Sequence, residues 1–206
     1  MRHLLRLLAL ALLLASPVLA PALAEDFNVP GLEADSQAYA TELRSRSPAG
    51  VTPQAARQAE QRAADATRRN DWTAVAAAWE ARLANGGTSD QWLTLARAQL
   101  RRVPPDAKRG AQAAWQAFSS ADAGPGEIPA LLVLAEAMRI TERPEVSIRA
   151  LEAVLERAPN DAGYTRMLTD ARRAAGIQVR RVRTEVEAEP PTACIEFTTA
   201  PVRRAD

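Results

Sequence analysis

The chain has 206 residues, with 26 Lys and Arg against 25 Asp and Glu and a formal net charge of +1. A single histidine, His3, and a single cysteine, Cys194, leave nothing from which to build a Cys/His metal cluster. No basic stripe interleaved with aromatics is present, which argues against nucleic acid as a partner.

Arg2 and Arg6 give a positive start, Leu7 to Leu14 is an apolar run, and Ala22-Leu23-Ala24 is an A-x-A cleavage site. That pattern predicts a secretory signal peptide over residues 1–24, cut between Ala24 and Glu25. Pro17 and Pro21 interrupt the run, and it falls short of the ~20 apolar residues that a membrane span needs. No cysteine follows it, so lipoprotein attachment is not expected, and the mature chain is expected in a periplasm or outside the cell. Loss of Arg2 and Arg6 takes the basic residues from 26 to 24 against 25 acidic ones, a net charge of −1. His3 leaves as well, and with it any histidine-dependent dyad or triad. The carboxylates that remain are scattered along helices among arginines, as on a solvated face. The expectation is a protein that is not an enzyme and holds no cofactor.

Residues 25–51 read as a lead-in. Phe27, Val29 and Leu32 precede a short helix from Asp35 to Arg46, capped by Asp35 or Ser36, with Tyr39 and Leu43 as its i, i+4 apolar pair. Thr52-Pro53-Gln54 has the form of a helix start, a capping residue followed by proline at the first helical position, and predicts a helix to about Arg69. Trp72, Val75, Trp79 and Leu83 stripe the next helix, which Asn85-Gly86-Gly87 stops. Ser89 or Asp90 is expected to cap another, carrying Trp92, Leu95, Ala96 and Leu100. Pro104-Pro105 breaks the chain before a helix with Ala111, Trp115 and Phe118. A last helix, about Asp161 to Ala175, carries Tyr164, Leu168 and Ala171 and ends at Gly176.

The stretch from Ile128 to Asp161 gives the frame for the whole. Leu131, Leu134, Ala135 and Met138 lie on one face of a helix, and Ser147, Leu151 and Val154 on one face of the next, with Pro159 closing it. This is the spacing of a tetratricopeptide repeat, and Trp92, Leu95 and Ala96 repeat it. Residues 52–176 are therefore expected to fold as a mainly α, tetratricopeptide-like stack of antiparallel helix pairs. Such a stack buries a continuous apolar seam, on which all four tryptophans fall.

In this frame the inner surface comes from the first helix of each pair, at positions one residue on from the apolar ones. Those positions hold Leu93, Arg97, Arg101, Leu132, Glu136, Arg139, Arg166, Asp170 and Arg173. Arginine outnumbers acid five to two, so Arg97, Arg101, Arg139, Arg166 and Arg173 form a candidate groove for an acidic or C-terminal peptide, since a guanidinium grips a carboxylate through two hydrogen bonds. The competing reading is a solvated face whose arginines pair with neighbouring acids.

After Gly176 the composition changes. Residues 177–206 hold two β-type runs, about Gln178 to Ala188 and Thr192 to Thr198, separated by Glu189-Pro190-Pro191. Two strands are marginal in water without a second layer, so these are expected either to add to another sheet or to begin a longer β-domain. Cys194 leaves three possibilities open in an oxidising compartment: an inert buried thiol, a cross-link between chains, or a disulfide to a cysteine outside this chain.

The run VRRVRTEVEAEPPTACIEFT, Val179 to Thr198, resembles the segment that opens the first macroglobulin-like domain of bacterial alpha-2-macroglobulins, with Ala193, Cys194 and Phe197 matching an ACxxF-like strand. The signal peptide followed by FNVPGLEADSQAY is similar to the mature start of family members with a helical leader. The resemblance implies that Cys194 pairs within the same β-domain and that the chain is the non-catalytic N-terminal segment of a periplasmic endopeptidase inhibitor. The family's Cys-Gly-Glu-Gln-type thioester is missing, because Ile195-Glu196-Phe197 follow Cys194, and no stretch looks like a bait loop. Proteases would thus be partners only through the parent protein. The alternative is a free-standing periplasmic repeat scaffold that binds proteins or peptides.

Overall fold

The computed structural model describes residues 27–47, 50–176, 179–185 and 192–197. The expected signal peptide, residues 1–24, lies outside them. The chain is mostly helical and ends in a short antiparallel sheet: α1 (Leu32–Ser45), α2 (Pro53–Arg68), α3 (Trp72–Arg82), α4 (Ser89–Arg101), α5 (Ala107–Ser119), α6 (Ile128–Ile140), α7 (Pro144–Arg157), α8 (Ala162–Ala175), β1 (Val179–Glu185) and β2 (Thr192–Phe197).

Helices α2 to α8 stack in chain order, each packed on the next, and α4 also meets α6. That is the contact pattern of three helix pairs and a closing helix. The apolar stripes read from the sequence form its seam. Leu131, Leu134, Ala135, Met138, Leu151 and Val154 are buried, as are Leu95 and Ala96. Trp92 and Trp115 are buried in the core, and Trp72 and Trp79 are half-buried and pack against it. Small residues let the helices approach closely. A Cβ at Gly110 of α5 would sit 2.6 Å from Leu100 Cδ2 and 3.6 Å from the Ala96 carbonyl oxygen of α4.

The caps follow side-chain chemistry. Thr52 accepts the N–H of Ala55 ahead of Pro53, and the Asp71, Asp106 and Asp161 carboxylates cap α3, α5 and α8. Two starts differ from expectation. Thr88, not Ser89 or Asp90, caps α4, because Thr88 and Gln91 form a reciprocal capping box, while the Ser89 hydroxyl donates to the Ala117 carbonyl at 2.7 Å. Helix α1 begins at Leu32, one turn before Asp35, after Gly31 in a left-handed conformation (φ 82°). Ser36 cannot cap it because its hydroxyl is buried, donating to the Gln112 carbonyl at 2.9 Å.

The lead-in packs across the stack rather than extending it. Helix α1 does not stack on α2. It lies against α5 and the turn at Leu83–Asn85 that ends α3. Phe27 packs on Trp115 and Phe118, with ring centroids 6.2 and 5.8 Å away. Arg149 of α7 donates to the Asn28 carbonyl at 2.7 Å. Residues 27–46 thus strap across the second helix of all three pairs.

Candidate functional site

The five arginines expected to line an inner helix face stand on three helices: Arg97 and Arg101 on α4, Arg139 on α6, and Arg166 and Arg173 on α8. All five are exposed. The structure then divides them. Arg139 makes two hydrogen bonds of 2.7 Å to Glu136, and those bonds together with the carboxylate's charge push its guanidinium further up. Arg173 pairs with Asp170 at 2.8 Å. Both acids lie one turn earlier on the same helix, so these two arginines fit the solvated-face reading. Arg166 bonds the Ala162 carbonyl of its own helix at 3.3 Å. Arg101 lies over the Trp72 ring, its guanidinium carbon 4.7 Å from the centroid. Arg97 makes no hydrogen bond or ion pair with any described residue. Beside them Leu93 is buried, and Leu100 and Leu132 are half-buried.

A second cluster escaped the sequence reading. Glu80 of α3 is only 12% exposed at its side chain. Its Oε1 accepts hydrogen bonds from Tyr39 Oη at 2.8 Å, Gln99 Nε2 at 2.9 Å and Arg109 Nη1 at 2.9 Å, and its Oε2 accepts one from Arg46 Nη1 at 2.8 Å. The Arg109 guanidinium also lies over the Tyr39 ring at 5.4 Å. Burial, with the Glu80 charge beside it, pushes the Tyr39 phenol above its ordinary value. The carboxylate is saturated by protein donors, so the cluster fastens α1 rather than offering a reactive group. The nearest sequence signal was Tyr39 itself, read only as half of an apolar pair.

The hairpin of β1 and β2 is amphipathic. Val182 faces Ile195 and Thr184 faces Ala193 across the strands; Arg181 faces Glu196 and Arg183 faces Cys194. Because successive side chains alternate, Val182, Ile195 and Phe197 share one face. They are 57%, 51% and 38% exposed, so that face is uncovered. Cys194 is an exposed free thiol on the opposite face, which removes the buried-thiol possibility for the structure described.

An open trough of about 440 Å³ lies between α2 and α3, floored by Ala66 and Ala78 and rimmed by Arg62 and Arg69. Asp65 lines it as well, with its carboxylate paired to Arg68. No helix among the described residues is long and apolar enough to cross a membrane. Neither any protein-family model nor any curated protein matches the chain.

Proposed function

We propose that this chain is the non-catalytic, helical N-terminal segment of a periplasmic alpha-2-macroglobulin-like endopeptidase inhibitor, serving as a scaffold ahead of the first macroglobulin-like domain. The observation that carries the reading is the hairpin. It follows the helical stack directly, coincides with the run that resembles the opening of that domain, and holds Val182, Ile195 and Phe197 out to solvent. An amphipathic two-stranded sheet gains stability only from a second layer on its apolar face. A macroglobulin-like sandwich supplies such a layer, and would also bring a partner for the Cys194 thiol. The helical part then contributes a rigid platform and a surface for other proteins, while bait and thioester chemistry belong to the parent.

The test is the coding frame beyond Asp206. A frame that continues into β-domains, or does so after one frameshift, supports the reading. A terminator followed by an unrelated gene overturns it in favour of a free-standing periplasmic scaffold. A protein check accompanies it: the chain alone leaves protease activity unchanged, since it holds neither bait nor thioester.

A further inference from the structure

We infer that Arg97 and Arg101 of α4, beside Trp72, form the point on the inner helix face where an extended acidic segment of a partner protein docks. The inference rests on reading the helical stack as an interaction scaffold. It does not involve the hairpin or the parent inhibitor, so the two readings fail separately.

Five arginines mark this face in the sequence, but only part of their charge is available. Arg139 and Arg173 are bound to Glu136 and Asp170 on their own helices, and Arg166 is drawn to its own backbone. Arg101 is held differently. Its contact is with the face of Trp72, which fixes the guanidinium plane and leaves its N–H donors free for a carboxylate. Arg97 stands one turn earlier on the same side of α4. The acids placed to quench it do not reach it. Glu136, at the equivalent position of α6, is gripped by Arg139. Asp90 lies about 10 Å back along the helix axis, in the first turn of α4.

The spacing names the ligand. Residues four apart on a helix are separated at their Cα atoms by about 6 Å along its axis, which is the spacing from which the Arg97 and Arg101 side chains start. Side chains two residues apart on an extended strand are separated by roughly 6.6 Å and point the same way. Carboxylates at alternate positions of an extended segment therefore match the pair, and the half-buried Leu100 and Leu132 offer an apolar margin for intervening residues. Phosphates of a single-stranded nucleic acid would also meet two arginines. That class binds by stacking bases on open aromatic faces, and the Trp72 face is covered by Arg101.

The test is fluorescence anisotropy with the full chain and a labelled short peptide alternating glutamate with leucine. Binding is expected, weakening as salt rises. Arg97→Gln with Arg101→Gln should weaken it roughly tenfold, as two partly screened ion pairs would. Arg166→Gln with Arg173→Gln, which removes two arginines of the same face on α8 and leaves the Arg139–Glu136 pair intact, should leave it unchanged. All four are exposed, so both double variants should keep the wild-type thermal midpoint; if the α4 pair does not fold, Arg97→Gln alone, which disturbs no ring, decides between the outcomes. No binding, equal loss in both double variants, equal binding of a glutamine-for-glutamate peptide, or equally tight binding of oligothymidylate would each overturn the inference.

Discussion

Tyr39 and Glu80, 41 positions apart in the chain, meet through a 2.8 Å hydrogen bond that fastens the N-terminal helix to the first helix pair. Around that bond Gln99, Arg109 and Arg46 complete the carboxylate's shell, so one side chain ties together α1, α3, α4 and α5. Glu80→Ala would leave the buried phenol without its acceptor, Gln99 Nε2 with only a 3.4 Å contact to Tyr39 Oη, and Arg109 with its 3.0 Å bond to Glu42. Its expected cost is about 2–4 kcal/mol, the range for stripping one partner from a largely buried charged network. Tyr39→Phe removes one donor and leaves the ion pairs, and should cost about 1 kcal/mol. Urea unfolding of the two variants checks the ordering, which reverses if α1 is held by its apolar face alone.

The same cluster sets an alkaline limit. Burial and Glu80 raise the Tyr39 phenol in the folded chain, whereas in the unfolded chain it loses its proton near the ordinary value of about 10. Above that pH the folded state holds more protons than the unfolded one, so stability falls as pH rises. The stabilisation is complete below about pH 10 and declines above it. Thermal midpoints measured from neutral pH to beyond pH 10 should show this decline, and Tyr39→Phe should flatten it. An equal decline in both proteins would place the alkaline sensitivity elsewhere.

Gly87 is required by crowding rather than by backbone angle. A Cβ there would fall 2.2 Å from Leu83 Cδ2 and 2.7 Å from Gln91 Oε1. Leu83 is 1% exposed and has no room to retreat, and Gln91 is the returning arm of the Thr88 capping box. Gly87→Ala therefore combines overpacking with a damaged cap, and is expected to cost about 1–3 kcal/mol. Gly31→Asn, at a left-handed position with open space around it, should cost less than about 1 kcal/mol, since asparagine tolerates that conformation best after glycine. Denaturant midpoints of the pair separate a steric requirement from a conformational one.

The stacked helices were legible because their signals are local. Apolar residues at helical spacing, prolines at first-turn positions and the Asp or Thr before α2, α3, α4, α5 and α8 all act within a few residues, and Leu131, Leu134, Leu151 and Val154 are buried where that spacing puts them. The strap was not legible, because it depends on contacts between distant segments. Nothing around Phe27 or Tyr39 indicates that the partners are Trp115, Phe118 and Glu80 rather than α2. The five arginines show the same division. Their place on exposed helix faces follows from periodicity, but the sorting into paired and unpaired depends on side-chain geometry. Glu136 and Asp170, one turn before Arg139 and Arg173, were in view as candidate partners; the Trp72 ring under Arg101 was not.

The hairpin yields the prediction that bears most directly on the proposed function. Its two strands are joined to each other in register from Arg181↔Glu196 to Glu185↔Thr192, yet Val182, Ile195 and Phe197 face solvent. A two-stranded sheet in that state opens readily, so its amides should exchange quickly while those of α6 and α7, buried at Leu131, Leu134, Leu151 and Val154, stay protected. Cys194, exposed on the other face, should react promptly with a thiol reagent in the native chain. Joining a macroglobulin-like β-domain behind the hairpin should cover the apolar face and slow exchange across Val182 to Glu185 and Thr192 to Phe197, while Cys194, on the other face, should be protected only by a disulfide to a cysteine of that domain. Val182→Thr with Ile195→Thr separates this from simple steric shielding: the substitutions should leave the helical stack's melting unchanged but abolish the protection that the added domain confers. Slow exchange in the chain alone would show that the hairpin already has its covering layer, and the scaffold reading would then stand without the parent inhibitor.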